Sequence, residues 1–116
     1  MAFEGSCHCG KTAFKVDAEP PAGAMTCNCS HCRRKGLLLA FFPDELFTLQ
    51  RGDDDLKSYF FYKHAIEHRF CTTCGTQPFA VGKGTDGKAM IAVNLRCVPG
   101  IDIDALEIHA VDGASF

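Results

Sequence analysis

A period of two runs through residues 12–16, where Thr12, Phe14 and Val16 share one parity and Ala13 and Lys15 the other. That spacing predicts a strand with one face turned inward. Residues 37–42 are continuously apolar and residues 58–62 are rich in aromatics, and both have the length and composition of strands. Further runs at 66–71, 78–81, 89–95 and 106–111 read the same way. Between them "EPPAG" (19–23), "RGDDD" (51–55), "GKGTDGK" (82–88) and "VPG" (98–100) supply Gly for positive φ and Pro for fixed φ, which is turn chemistry. One segment competes with this pattern: "PDELFTL" at 43–49 predicts a turn or two of helix starting at its Pro. No repeat, low-complexity tract or linker interrupts the pattern. The expected fold is mainly β, a single domain over residues 1–116 built of small antiparallel sheets, with the cysteine clusters at strand ends or tight turns.

Composition narrows the functional classes. A chain of 116 residues that is 47% hydrophobic and 22% charged, with ten Phe, has the apolar material for its own core. Its formal charge of -2 leaves no basic excess for a phosphate backbone, so nucleic acid is not an expected partner. The start "MAFEGSCHCG" lacks a basic segment followed by an apolar run, and no stretch approaches the roughly 20 apolar residues that span a bilayer. A cytoplasmic protein with no membrane partner is expected. In that reducing compartment its eight Cys read as metal ligands or catalytic thiols rather than disulfides.

The spacing of those thiols agrees. Cys71 and Cys74, followed by Gly75, form C-x-x-C-G, a zinc knuckle in which two thiolates reach one tetrahedral ion and the Gly relieves crowding at the turn. Cys7 and Cys9 supply a second pair from a distant part of the chain and complete a closed four-cysteine structural zinc site. Cys27, Cys29 and Cys32 then remain as a three-sulfur set, and three protein ligands with one exchangeable position is how a catalytic zinc is built. Two residues compete for that position. Cys97 would bring the thiols to two sets of four, although at the end of an apolar strand it reads as a buried, unligated thiol. His31 lies within the cluster, where its adjacency to Cys32 favours a surface role or one beside the ligands over ligation itself. His8 reads as a solvent-side spacer.

Three blocks, "GSCHCGKTAF", "CNCSHCRRKG" and "HRFCTTCGTQPF", in that order and at these separations, resemble the glutathione-dependent formaldehyde-activating enzyme family, which also includes centromere protein V. The resemblance implies a mainly β fold of small sheets, a structural zinc on Cys7, Cys9, Cys71 and Cys74, and a second zinc on Cys27, Cys29 and Cys32 with its remaining position facing a substrate thiol. The activity it implies is that of a carbon-sulfur lyase: glutathione adds to formaldehyde and gives S-hydroxymethylglutathione. The expected partners are therefore a small thiol and an aldehyde.

Other polar residues gain or lose interest in that light. Arg33, Arg34 and Lys35 can offset the negative charge of the thiolates, and the arginines can pair with the carboxylates of glutathione; a solvated turn explains them equally well. His64, Glu67, His68 and Arg69 precede the knuckle, and a strand there sets Glu67 and Arg69 on one face and Ile66, His68 and Phe70 on the other. An exposed charged face is the expectation there rather than acid-base chemistry. Asn94, on the apolar run 89–95, needs a hydrogen-bond partner if it is buried. The alternative to an enzyme is a zinc-stabilised binding module in which both metals are structural.

Overall fold

The computed structural model describes residues 2–61 and 65–115. Ten strands and one short helix follow in the order β1 (Phe3–Ser6), β2 (Ala13–Val16), β3 (Gly23–Cys27), α1 (Ser30–Lys35), β4 (Leu39–Pro43), β5 (Phe47–Arg51), β6 (Leu56–Tyr59), β7 (Glu67–Cys71), β8 (Phe79–Lys83), β9 (Ala89–Asn94) and β10 (Glu107–Val111). Strands β1, β2 and β5 make a small sheet, and the others lie in the order β10-β3-β4-β9-β8-β7-β6 in a larger one. The fold is mainly β, as expected.

The unbroken apolar run at 37–42 has a physical reason: residues 37–40 are buried on both faces, and exposure begins at Phe41. Leu38 and Ala40 join Phe14, Val16, Ile91, Val93 and Leu95 in the main core between the two sheets. Phe47 of the small sheet closes that core, stacking on Phe14 at 5.5 Å and meeting Phe79 of the large sheet at 4.7 Å. Leu37 and Leu39 point the other way and pack with Ala80, Ala92 and Cys32 in a second cluster. Register carries this second face across the sheet, because Tyr59 pairs with His68, His68 with Ala80, Ala80 with Ala92, and Ala92 with Phe41. Directly opposed residues share a face, so this row forms one continuous wall.

Several expectations change. Segment 43–49 is not a helix beyond the 3-10 turn Asp44–Leu46; from Phe47 it becomes β5, which runs antiparallel to β2 and half-buries Phe47 and Leu49 on alternate positions. Strands β1 and β3 lie where no strand was marked in the sequence, and α1 holds part of a cysteine cluster expected at a strand end or tight turn. Strand β6 begins two residues before the run predicted at 58–62 and stops at Tyr59, while residue 62 lies outside the described residues. Strand β10 pairs parallel to β3, with Glu107 opposite Gly23 and Val111 opposite Cys27, where antiparallel pairing was expected throughout. Among the described residues no helix is long and apolar enough to cross a membrane.

Candidate functional site

The sulfurs of Cys7, Cys9, Cys71 and Cys74 all lie within 4.8 Å of one another. Cys7 follows β1, Cys71 ends β7, and Gly75 takes φ 78°, donating its N–H back to Cys71 O at 2.8 Å so that Cys74 folds over the group. The separations Cys7–Cys9 and Cys9–Cys71 are both 3.6 Å. A tetrahedral zinc with bonds of about 2.3 Å needs sulfurs about 3.8 Å apart, so the set fits that ion as it stands. The N–H of Thr12 points at Cys7 Sγ from 3.4 Å. Crowding divides the thiols: against burial, hydrogen bonds from Thr76, the Cys9 backbone and Cys71 bring Cys74 down to about 5, while against the hydrogen bond from the Lys11 backbone, burial and the three other thiols push Cys9 up to about 11. Four sulfurs this close cannot all ionise without a cation among them, and a dication resolves the conflict.

Cys27, Cys29 and Cys32 form the second group, again with sulfurs within 4.8 Å. Cys27 ends β3, Cys29 caps α1 and Cys32 sits in its first turn. Cys29 Sγ accepts the N–H of Cys32 at 3.3 Å in the place usually taken by a Ser or Asp oxygen, and Cys27 Sγ faces the N–H of Cys29 at 3.5 Å. These donors favour thiolates, and the Cys29 thiol is lowered although burial opposes it. Burial and then its two sulfur neighbours push Cys32 up to about 12, the same conflict as in the first group. The donor set suits a thiophilic dication.

Neither competitor completes this group. Cys97 is buried, with its thiol 3.9 Å from the carbonyl of Gln77, and burial followed by the charges of Cys7 and Cys74 raises it to about 12. His31 is not at the surface, so of the two roles read for it from the sequence the surface one is removed. Its ring lies 4.0 Å from that of His68 and 5.0 Å from that of Phe61, and neither of its nitrogens has a partner among the described residues. Asn94 is buried too, but it is satisfied: its amide donates to Gln77 O at 3.0 Å and its oxygen accepts the N–H of Arg96.

Strand β7 alternates as anticipated. Glu67 and Arg69 share a face, where Arg69 reaches Asp53 at 3.2 Å and Glu67 accepts from Ser58. His68 faces the opposite way, as that alternation implies, and is buried, whereas Arg69 on the charged face is itself only 20% exposed. Burial, followed by nearby positive charge, lowers both His31 and His68 to about 4, so both rings are neutral at neutral pH. His64 lies outside the described residues, and His8 is exposed.

The basic triplet splits three ways. Arg34 donates to Ser30 O at 2.9 Å on the exposed side of α1, and Arg33 turns toward a polar cleft described below. Lys35 reaches inward and places Nζ 2.6 Å from Gln77 Oε1. An ammonium can only donate, so Gln77 must present its oxygen to Lys35 and its amide nitrogen to His68 Nδ1, 3.4 Å away. His68 therefore carries its proton on Nε2. Neither Gln77 nor the Lys35 contact was marked in the sequence, because nothing in their spacing connects them to the cysteines.

Two cavities meet at this group. One, of about 410 Å³, is lined by Cys27, Cys29 and Cys32, by His68 and Gln77, and otherwise almost wholly by apolar side chains of the wall described above. The other, of about 460 Å³, is the more polar of the two and runs along Thr26, Cys27, Asn28, Arg33 and Asp112, with Ala110 and Val111 as its apolar side. Cys27 lines both. Residues after β10 roof the group, and a Cβ on Gly113 would collide with Cys27 Sγ. Asn28 holds this roof down, donating to Asp112 Oδ1 and accepting the N–H of Ala114, each at 2.9 Å.

The family model described as "Glutathione-dependent formaldehyde-activating enzyme" matches residues 2–102. The chain belongs to that family. The match holds all eight cysteines and stops before β10 and the Asn28–Asp112 contact. Among solved structures, the chain is similar to a crystal structure of a Rhodobacter sphaeroides protein determined as a structural genomics target, at 27% identity and a TM-score of 0.78. That likeness covers 91% of this chain and 99% of the other.

Proposed function

We propose that this member of the formaldehyde-activating family adds a small thiol, glutathione or one like it, to an aldehyde such as formaldehyde, as a cytoplasmic carbon-sulfur lyase. In this reading Cys7, Cys9, Cys71 and Cys74 hold a structural zinc, and Cys27, Cys29 and Cys32 hold a second. The observation that carries it is the three-sulfur group with no fourth protein ligand among the described residues, opening onto two cavities. Cys27, Cys29 and Cys32 would hold the second zinc, which when bound would supply the positive charge that keeps an incoming thiol ionised at neutral pH.

The chain's own residues do the rest. The backbone N–H groups of Cys29 and Cys32 hold the protein sulfurs in place, so the incoming thiol meets a fixed site. Arg33 gives the polar cleft a cation for a carboxylate of the thiol substrate. The apolar walls of the other cavity exclude water from the aldehyde carbon. As the thiolate sulfur bonds to that carbon, the carbonyl π pair moves to oxygen, and His68 Nε2–H is the hydrogen-bond donor for the developing charge. A neutral imidazole acts here as an electrophile, held in one tautomer by the Lys35–Gln77 chain. The oxygen then takes a proton from water, balancing the one the thiol gave up.

The test is a glutathione titration of the cobalt-loaded protein, followed through its ligand-field and sulfur charge-transfer bands. A saturable change that Cys29→Ser abolishes is expected. Bands of two four-sulfur sites that ignore glutathione would make the protein a zinc-stabilised binding module instead.

A further inference from the structure

Formaldehyde needs almost no room. The cavity of about 410 Å³ falls in the range of roughly 300–1,000 Å³ typical of sites for much larger molecules. Met25, Leu39, Phe41, Ile66, Met90 and Ala92 belong to its apolar wall, and its polar members are His68, Gln77, Lys83 and the three cysteines. Phe41 and Ile66 stand at 46% and 48% exposure, a large apolar surface left open to water beside the thiols. Glutathione does not match such walls, since its two carboxylates and ammonium would lose hydration with Lys83 the single charged side chain among the lining residues to offset it. Charged groups fit the second cavity, on the other side of Cys27, where Arg33, Asn28 and Thr26 lie beside an Asp112 carboxylate already engaged by Asn28 and Ser115.

We infer that the two cavities divide the substrates: the thiol partner lies in the polar cleft, and the apolar cavity takes the hydrocarbon chain of an aldehyde several carbons long. This rests on the thiol-aldehyde reading above and specifies its substrate. The carbonyl end meets the cysteines and His68, and the chain runs along the wall set by the cross-strand row Phe41, Ala92 and Ala80. Each methylene buried there raises binding by about fourfold at most.

Gly82 offers a way to fill the cavity without disturbing the fold. It lines the space, and a Cβ built on it meets only Ile66 Cγ1 at an ordinary 3.7 Å. Gly82→Leu therefore adds bulk to the cavity from a strand position that accepts a side chain.

Two measurements on the metal-loaded protein test the inference. In the first, kcat/KM with glutathione is compared across ethanal, butanal and hexanal, with formaldehyde alongside, each rate divided by that of the uncatalysed addition. A rise of about two- to fourfold per methylene is expected, and Gly82→Leu should flatten it. In the second, hexanamide, which keeps a carbonyl but does not trap thiols, is titrated while the methyl resonances of Met25 and Met90 are followed. Saturable shifts that Gly82→Leu removes are expected. A flat or falling chain-length series with formaldehyde turned over, or Met resonances that hexanamide leaves in place, overturns the inference and leaves the thiol-aldehyde reading standing. No addition to any aldehyde overturns that reading and takes the inference with it.

Discussion

Two groups of cysteines use the same ligand chemistry and are closed in different ways. The first draws Cys7 and Cys9 from beyond β1, Cys71 from the end of β7 and Cys74 from beyond it, so it ties the small sheet to the large one, and the buried sulfurs of Cys7 and Cys71 face the interior. The second takes all three sulfurs from residues 27–32, at the junction of β3 and α1, and leaves its remaining sides to two cavities and a glycine roof. A site that joins distant segments carries the fold, whereas a site built from one local segment can stay open for chemistry. The number of sulfurs matters less than how much of the chain each group holds together.

Breaking the first group should do the most damage. Cys71→Ser is expected to leave the protein unfolded, because a structural zinc site contributes on the order of 10 kcal/mol, comparable to the whole stability of a protein this size. Circular dichroism with a metal count checks this, and a folded Cys71→Ser protein would dissolve the contrast. Cys29→Ser should instead lose one metal equivalent and retain the β spectrum, with a melting temperature only a few degrees lower.

Inside the second group the next largest effect should come from His68. Replacing it with Gln is expected to lower kcat about a hundredfold with little change in KM, the scale of losing one donor to a developing oxyanion. If KM and thermal stability move and kcat does not, His68 only fills space. The smallest effect should belong to Cys97. Cys97→Ser is expected to keep both metal equivalents and to cost about 1–3 kcal/mol in urea unfolding, for a hydroxyl buried where a thiol sat. Loss of one metal in that variant would mean that a fourth sulfur closes the second group, and the comparison would collapse.

The division of seven cysteines into two groups was legible because C-x-x-C-G and C-x-C-x-x-C are local patterns, and local spacing survives folding. Most strands could be read from runs whose burial is decided along the chain, as in β4 and β9. Helix α1, at six residues, is too short for a 3.6-residue period to register, and its cap is a Cys, which is not among the usual capping residues. Strand β5 was read as helix because "PDEL" is a good opening for one, but pairing with β2 overrode that propensity from Phe47 onward. His31, His68 and Gln77 could not be grouped from sequence. They meet only because β7, α1 and the loop before β8 converge on one face of the large sheet, as the ring contacts and the Gln77–His68 hydrogen bond show.

The parallel pairing of β10 with β3 affects how the protein is made. Asn28 leaves the ribosome before its partners Asp112 and Ala114, which come 84 and 86 positions later. The first cysteine group can close once residue 74 has emerged, while Cys27 waits for Gly113 to cover it. During synthesis the second group is thus a bare run of thiols, open to any thiophilic metal or oxidant at hand. The turn at Gly113 ends that exposure, so timing as well as affinity bears on which metal reaches Cys27, Cys29 and Cys32.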